Sequence, residues 1–305
     1  MRWIVLALGL ALAGFSLWQL ESFRPSGVDV TRASVGETPV TVWRQPDPIA
    51  TVVVAHGFAG SRPLMLAQIW TLARNGYDVV AFDFEGHGTN PVPMSGDVDS
   101  IEGTTQRLVD ETLRVMDWAA GGAPVALWGH SMATDVLIRA ALEAPTGPIV
   151  ALSAFSGAVT PEHPQSLLLI AGAWEGRLIE FGQEAIGQLD AEASEGQRIE
   201  AGDVARMALI APNVEHVGIL YSPFALDAGV SWLDDHYGVP ERESDIAAMG
   251  PWVLVLLAAL MILWWPITRF LPQSASAKPV PRGAFFACAA LALFEPFGAV
   301  LIELT

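Results

Sequence analysis

PVALWGHSMATDVLIRAALEA, residues 124–144, joins three kinds of segment in one stretch. Pro124–Trp128 is a short apolar run, and Ala133–Ala144 has the composition of a helix. Between them lies Gly129-His130-Ser131-Met132-Ala133. A serine at a strand-to-helix junction needs very small residues two positions away on each side, because the backbone must bend sharply enough to lift the hydroxyl clear of a sheet. Gly129 and Ala133 satisfy that requirement, which makes Ser131 a candidate nucleophile.

The flanking sequence repeats the pattern. Thr51–Ala55 is β-branched and apolar, ends in His56-Gly57-Phe58-Ala59-Gly60-Ser61, and leads into a helix-compatible segment from Pro63 to Asn75. Asp78–Phe82 is a second such strand, ending in Asp83-Phe-Glu-Gly-His-Gly88, and a helix is predicted over 101–120. Short buried strands alternating with helices predict an α/β fold, a mostly parallel sheet covered on both faces. Glycine clusters at the strand ends mark the loops of the carboxyl edge, where such sheets place ligands.

HGFAGS (56–61), DFEGHG (83–88) and GHSMA (129–133), in that order, resemble the α/β-hydrolases, close to the monoacylglycerol-lipase and serine-aminopeptidase branch. The resemblance runs from about Val28 to Trp232 and implies a triad in the chain order serine, acid, histidine. Ser166–Ile170 would be the strand before the acid and Gly172-Ala-Trp-Glu175 its turn, which aligns Glu175 where relatives carry aspartate. Met207–Ala211 would be the last strand, and the following Glu215-His216-Val217 supplies His216 as the base. Asp190, Glu192 and Asp203 compete with Glu175, and His236 competes with His216. The resemblance also implies an oxyanion hole from the backbone N–H groups of Phe58 and Met132, supported by His56, Gly57, Gly129, His130 and Ala133. His87 and His130 are expected to brace loops rather than react, and His163 to be a solvated loop residue.

The chemistry explains the residue types. A serine hydroxyl becomes a useful nucleophile once an imidazole accepts its proton, and a carboxylate holds that imidazole in the correct tautomer. No Cys, His and carboxylate cluster has metal-ligand spacing and no GxxxxGK[ST] loop occurs, so neither a metal nor a cofactor is predicted.

Composition adds a membrane. Three apolar stretches stand out: Trp3–Leu20, Pro251–Trp265 extended to about Leu271, and Ala284–Leu304. The first has 18 residues without a charge, enough to cross the hydrocarbon core. A cleavable signal peptide competes with it, since Ala11-Leu-Ala13 resembles a cleavage site, but cutting there would strand Phe15–Leu20 outside, and an uncleaved anchor is preferred. Arg2 precedes the first span, and Arg269, Lys278 and Arg282 lie between the second and third; positive residues favour the cytoplasmic side. The predicted organisation is therefore an anchor at 1–22, a hydrolase domain at 23–239, a transmembrane helix at 250–271, a cytoplasmic loop at 272–283, and a transmembrane or broken helix at 284–304. The N-terminus would be cytoplasmic and the hydrolase domain periplasmic, as in a bacterial inner-membrane protein. Residues 21–249 carry 12 Arg, no Lys and 31 acidic residues, net −19, a surface that repels nucleic acid and argues against it as a partner. The single cysteine, Cys288, excludes an intrachain disulfide.

Two details remain open at this level. Glu295-Pro296 falls inside the third stretch, as an intramembrane functional carboxylate or at a helix break in a wet position. Few residues separate the strand Ile149–Ser153 from that at Ser166, where relatives carry a helical lid, so little or no lid is expected, with the apolar face of Leu178–Leu189 packed on the sheet. The expected function is a membrane-anchored serine hydrolase cleaving small-molecule or lipid acyl esters beside the bilayer. A peptidase or amidase of the same fold, or a non-catalytic membrane component with a hydrolase-like binding domain, are the alternatives.

Overall fold

The computed structural model of the chain describes residues 1–97 and 100–268. In chain order the main elements are α1 (Arg2–Ser22), β1 (Asp29–Val35), β2 (Thr38–Arg44), β3 (Thr51–Ala55), α2 (Leu66–Arg74), β4 (Asp78–Phe82), α3 (Gln106–Ala120) and β5 (Ala126–His130). They continue as α4 (Met132–Glu143), β6 (Ile149–Leu152), β7 (Ser166–Gly172), α5 (Gly176–Gly187), β8 (Ile199–Ala201), β9 (Val204–Ala211), α6 (Pro223–Tyr237) and α7 (Gly250–Ile267).

The strands form one nine-stranded sheet in the order β1-β2-β4-β3-β5-β6-β7-β9-β8. The run from β4 to β9 is parallel throughout. Antiparallel hairpins close its edges, β1–β2 on one side and β8–β9 on the other. Parallel strands are buried on both faces and read as unbroken apolar runs. In β3, Val53 and Ala55 enter the core on one face while Val52 and Val54 enter that on the other. Leu108 and Val115 of α3 and Leu137 of α4 cover the first face, whereas Ile69 of α2 and Leu226 of α6 cover the second.

The expected helix over 101–120 begins as a wide π-type turn at Ile101–Thr105 before α3 proper, broken by the non-helical backbone of Gly103. No helix stands in the short connection between β6 and β7, in keeping with little or no lid. Residues Ala185 and Ile186 of α5 are buried in the core, so this helix lies on the sheet as expected. The β8–β9 hairpin that follows was not anticipated. At its base Arg206 is fully buried. It donates to the carbonyls of Ala185 (3.0 Å) and His163 (2.8 Å), to Gln188 Oε1 (2.9 Å) and to the Thr160 carbonyl. Burial lowers its guanidinium to about 10, which leaves it charged at neutral pH. One cation thereby ties α5, β9 and the β6–β7 connection together.

The described chain divides into two compact units, a large one of Ala13–Leu257 and a small one of Met1–Leu12 with the described residues from Ala258 on. Helices α1 and α7 are each long and apolar enough to cross a membrane. In the small unit they approach closely at Gly9, where a Cβ would lie 2.7 Å from Leu263 Cδ2. Within the large unit, Ser16 Oγ donates to the Trp252 carbonyl at 2.5 Å and Phe15 meets Trp252 edge-on at 5.5 Å. The predicted loop at 272–283 and third apolar stretch at 284–304, with Cys288 and Glu295, lie outside the described residues.

Close packing behind β5 makes one position intolerant. Trp128 is fully buried against α6, where a Cβ on Gly229 would fall 2.1 Å from its ring. Overpacking of this kind costs about 1–3 kcal/mol. Gly229→Ala is expected to lower the unfolding free energy read from urea melts by that amount; an unchanged midpoint would show that the indole has room to move.

Candidate active site

β5 ends at His130 and α4 begins at Met132, leaving Ser131 alone in the turn with φ 54° and ψ −122°. Positive φ is costly for a residue with a side chain and persists only where its surroundings over-determine it. Here the Ser131 N–H donates to the Leu152 carbonyl at 2.9 Å, and the Ser131 carbonyl accepts from the N–H (2.8 Å) and hydroxyl (2.7 Å) of Thr134. The small neighbours are sterically required. A Cβ on Gly129 would lie 2.7 Å from Leu137 Cδ1, and Ala133 is fully buried. A Cβ on Gly57 would lie 3.0 Å from that of Ser131.

His216 follows β9 and Glu175 follows β7, adjacent strands that bring their loops to the same edge. The Ser131 hydroxyl lies 2.8 Å from His216 Nε2, and His216 Nδ1 lies 2.5 Å from Glu175 Oε1. Glu175 Oε2 accepts from the Gly172 N–H at 2.6 Å and from the Ser153 hydroxyl at 2.7 Å. Burial pushes the Glu175 carboxyl up, but the hydrogen bonds from His216, Gly172 and Ser153 outweigh it and hold the group below its ordinary value. Gly172 makes the space for this carboxylate, since a Cβ there would sit 3.0 Å from Glu175 Oε2 and 2.6 Å from the Val214 carbonyl. His236 instead meets Tyr237 edge-on at the end of α6.

The supporting histidines have separate structural jobs. His130 Nε2 meets the His216 carbonyl at 2.7 Å and therefore carries the proton, while its buried Nδ1 has no partner. His56 Nδ1 donates to the Gly57 carbonyl at 2.8 Å, and its Nε2 accepts from the Phe84 N–H at 3.2 Å. Both rings are neutral, their pKa lowered to about 4, chiefly by burial. His87 packs against His56 at a tilt and against Phe58 edge-on. Asp83 accepts from the N–H groups of Arg62 (2.8 Å) and Thr89 (2.9 Å) and pairs with the Arg62 guanidinium, fixing the same loops. Among the described residues no backbone acceptor outside the helices and strands pairs with the Phe58 or Met132 N–H.

Ser131 and His216 open into a cavity of about 590 Å³, walled mainly by Met94, Leu108, Met132, Val136, Phe155 and Leu178. That volume is within the range of small-molecule sites. On the loops of this edge Trp174, Phe58 and Phe155 are 71%, 65% and 62% exposed. Ser153, the second partner of Glu175, went unnoticed in the sequence because no local motif marks it; its positive φ of 51° is visible only in three dimensions.

Both buried histidines bind protons more weakly in the folded chain than in the unfolded one, so the unfolded chain takes up more protons between about pH 4 and 6.5. Their contribution to stability is complete above pH 6.5 and is lost as pH falls toward 4. Urea melts across this window should show a steadily falling midpoint, with a shallower slope for His130→Gln. A flat profile in both proteins would mean that neither ring is held neutral.

Residues 46–215 match the family described as Serine aminopeptidase, S33. The chain is 33% identical over 108 residues to lysophosphatidylserine lipase ABHD12 of Macaca fascicularis, covering 32% of this chain and 25% of that protein. The chain thus spans about a quarter of the length of the curated relatives it matches. Among solved structures, a predicted CIB-like hydrolase from Thermoplasma acidophilum superposes with a TM-score of 0.54 at 17% identity, over 68% of this chain and 98% of that one. Dienelactone hydrolase from Anabaena variabilis gives 0.51 at 19% identity, over 70% and 98%. With the family match extending over more than half of the sequence and the same fold in these neighbours, the chain belongs to the serine aminopeptidase S33 family of α/β-hydrolases.

Proposed function

We propose that the protein is a membrane-anchored serine hydrolase that cleaves carboxylic esters of lipid-like acyl chains through an acyl-enzyme. The observation that carries this is the line of contacts from Ser131 Oγ to His216 Nε2 at 2.8 Å and from His216 Nδ1 to Glu175 Oε1 at 2.5 Å. Ser131 attacks the ester carbonyl as His216 Nε2 takes its proton. Glu175 keeps the proton on Nδ1 and stabilises the imidazolium that forms. The N–H groups of Phe58 and Met132 receive the developing oxyanion, where fixed donors are worth more than in water. The imidazolium then protonates the departing alcohol. A water activated by the same imidazole releases the acid from Ser131.

An ester of an apolar acyl chain suits the apolar part of the cavity wall, Met94, Leu108, Met132, Val136, Phe155 and Leu178, and the exposed Phe58 and Trp174 on the same sheet edge. The lipase relatives support the same class. For the membrane, α1 and α7 supply two spans, and the positive residues at Arg2, Arg269, Lys278 and Arg282 favour a cytoplasmic N-terminus with the hydrolase domain on the opposite side. In a bacterial cell that side is the periplasm.

Turnover of a medium-chain acyl ester by the detergent-solubilised full chain tests the assignment. Ser131→Ala should lose about 10⁶-fold in kcat. Glu175→Gln should lose about 10⁴-fold, because the imidazole is then held in the wrong tautomer. Ester turnover that survives Ser131→Ala would rule out this mechanism, and cleavage of aminoacyl amides in preference to esters would move the enzyme to the peptidase class.

A further inference from the structure

Resting on the hydrolase assignment, we infer that Arg139 forms an anion-binding subsite in the Ser131 cavity, selecting acyl esters whose alcohol portion carries a phosphate. The cavity wall follows one face of α4, where Met132, Asp135, Val136 and Arg139 are spaced as neighbours on a helix. Among the described residues lining it, Arg139 is the only Lys or Arg. Its side chain is 20% exposed, so most of it is packed into the wall.

The hydrogen bonds around Arg139 leave its outer nitrogens free. Asp135 Oδ2 accepts from Arg139 Nε at 2.8 Å, and Asp135 Oδ1 accepts from the buried Ser156 hydroxyl at 2.6 Å. Both carboxylate oxygens are therefore engaged. Among the described residues neither terminal nitrogen of Arg139 has an acceptor, and a Cβ on Gly157, also part of the wall, would be 4.0 Å from Nη2. A guanidinium orientated through Nε presents two parallel N–H groups, the fork that matches a phosphate. An ordinary helix i,i+4 ion pair contributes little on an open surface. Here the pair instead orients a cation on a cavity wall, in a domain of net charge −19 between residues 21 and 249.

Distance sets the kind of ester. Eight residues of helix separate Ser131 from Arg139, a rise of about 12 Å, and helical side chains lean toward the N-terminus, which brings the guanidinium back toward the serine. With Ser131 and Arg139 both lining the cavity, the alcohol portion of a bound ester would extend along α4 toward Arg139 while the acyl chain lies on the apolar wall.

The test compares kcat/KM for 1-octanoylglycerol 3-phosphate and 1-octanoylglycerol on the full chain in neutral detergent. Wild type should favour the phosphate. In Arg139→Gln the ratio of the two should fall about 10- to 100-fold, the size expected for a charge-assisted hydrogen bond, with Arg139→Lys in between. Octyl phosphate should also protect Ser131 from a fluorophosphonate better than octanol does, and this advantage should vanish in Arg139→Gln. A ratio that does not depend on residue 139 while both esters turn over would overturn this inference alone. Inorganic phosphate protecting as well as octyl phosphate would make it a free-anion site and also overturn it. Failure of wild type to turn over either ester or react with the fluorophosphonate would instead remove the hydrolase assignment on which it rests.

Discussion

Glu175 is a carboxylate with 7% of its side chain exposed, and its burial is compensated by three donors: His216 Nδ1, the Gly172 N–H and the Ser153 hydroxyl. A buried charge without such partners would be protonated or expelled. Held below its ordinary value, the Glu175 carboxyl engages Nδ1 of the His216 ring and so turns Nε2 toward Ser131. The rest of the site is arranged to keep that ring in place. His130 donates to the carbonyl of His216 itself, while Gly172 gives the longer glutamate arm room to fold back. A glutamate is thus accommodated in this turn with the imidazole still 2.8 Å from Ser131 Oγ.

The sheet supplies the positions and the loops supply the chemistry. β5, β6, β7 and β9 are consecutive neighbours in the parallel sheet, so Ser131, Ser153, Glu175 and His216 emerge from one edge although up to 85 residues separate the bonded partners. The HGFAGS and DFEGHG loops are bound to each other through His56 and Asp83, and Gly57 of the first lies against Ser131. On the cavity side α4 does double duty: its first N–H belongs to Met132, and its face carries Asp135 and Arg139 along the wall.

Much of this was legible in the sequence where the signal is local. Ser131 is flagged by Gly129 and Ala133, and the strands at β3, β4 and β7 by unbroken apolar runs. The strand placed at Pro124–Trp128 is shifted to Ala126–His130, because the ladder with β6 continues through the glycine up to the turn. Features that depend on distant partners left no mark. Arg206 looks like a surface residue beside β8, yet its acceptors lie up to 46 residues away. Ser153 is an unremarkable strand-end serine until Glu175 folds over it. β8, three residues long, is too short to show any alternation.

The central claim is that one hydroxyl in this chain is activated by one imidazole. Its most direct measurement is mass-spectrometric mapping of the folded, detergent-solubilised protein after reaction with a fluorophosphonate. The account predicts one stoichiometric adduct on the peptide containing Ser131, with markedly slower formation in His216→Ala. Modification of a different residue, or a Ser131 that reacts equally fast without His216, would contradict it.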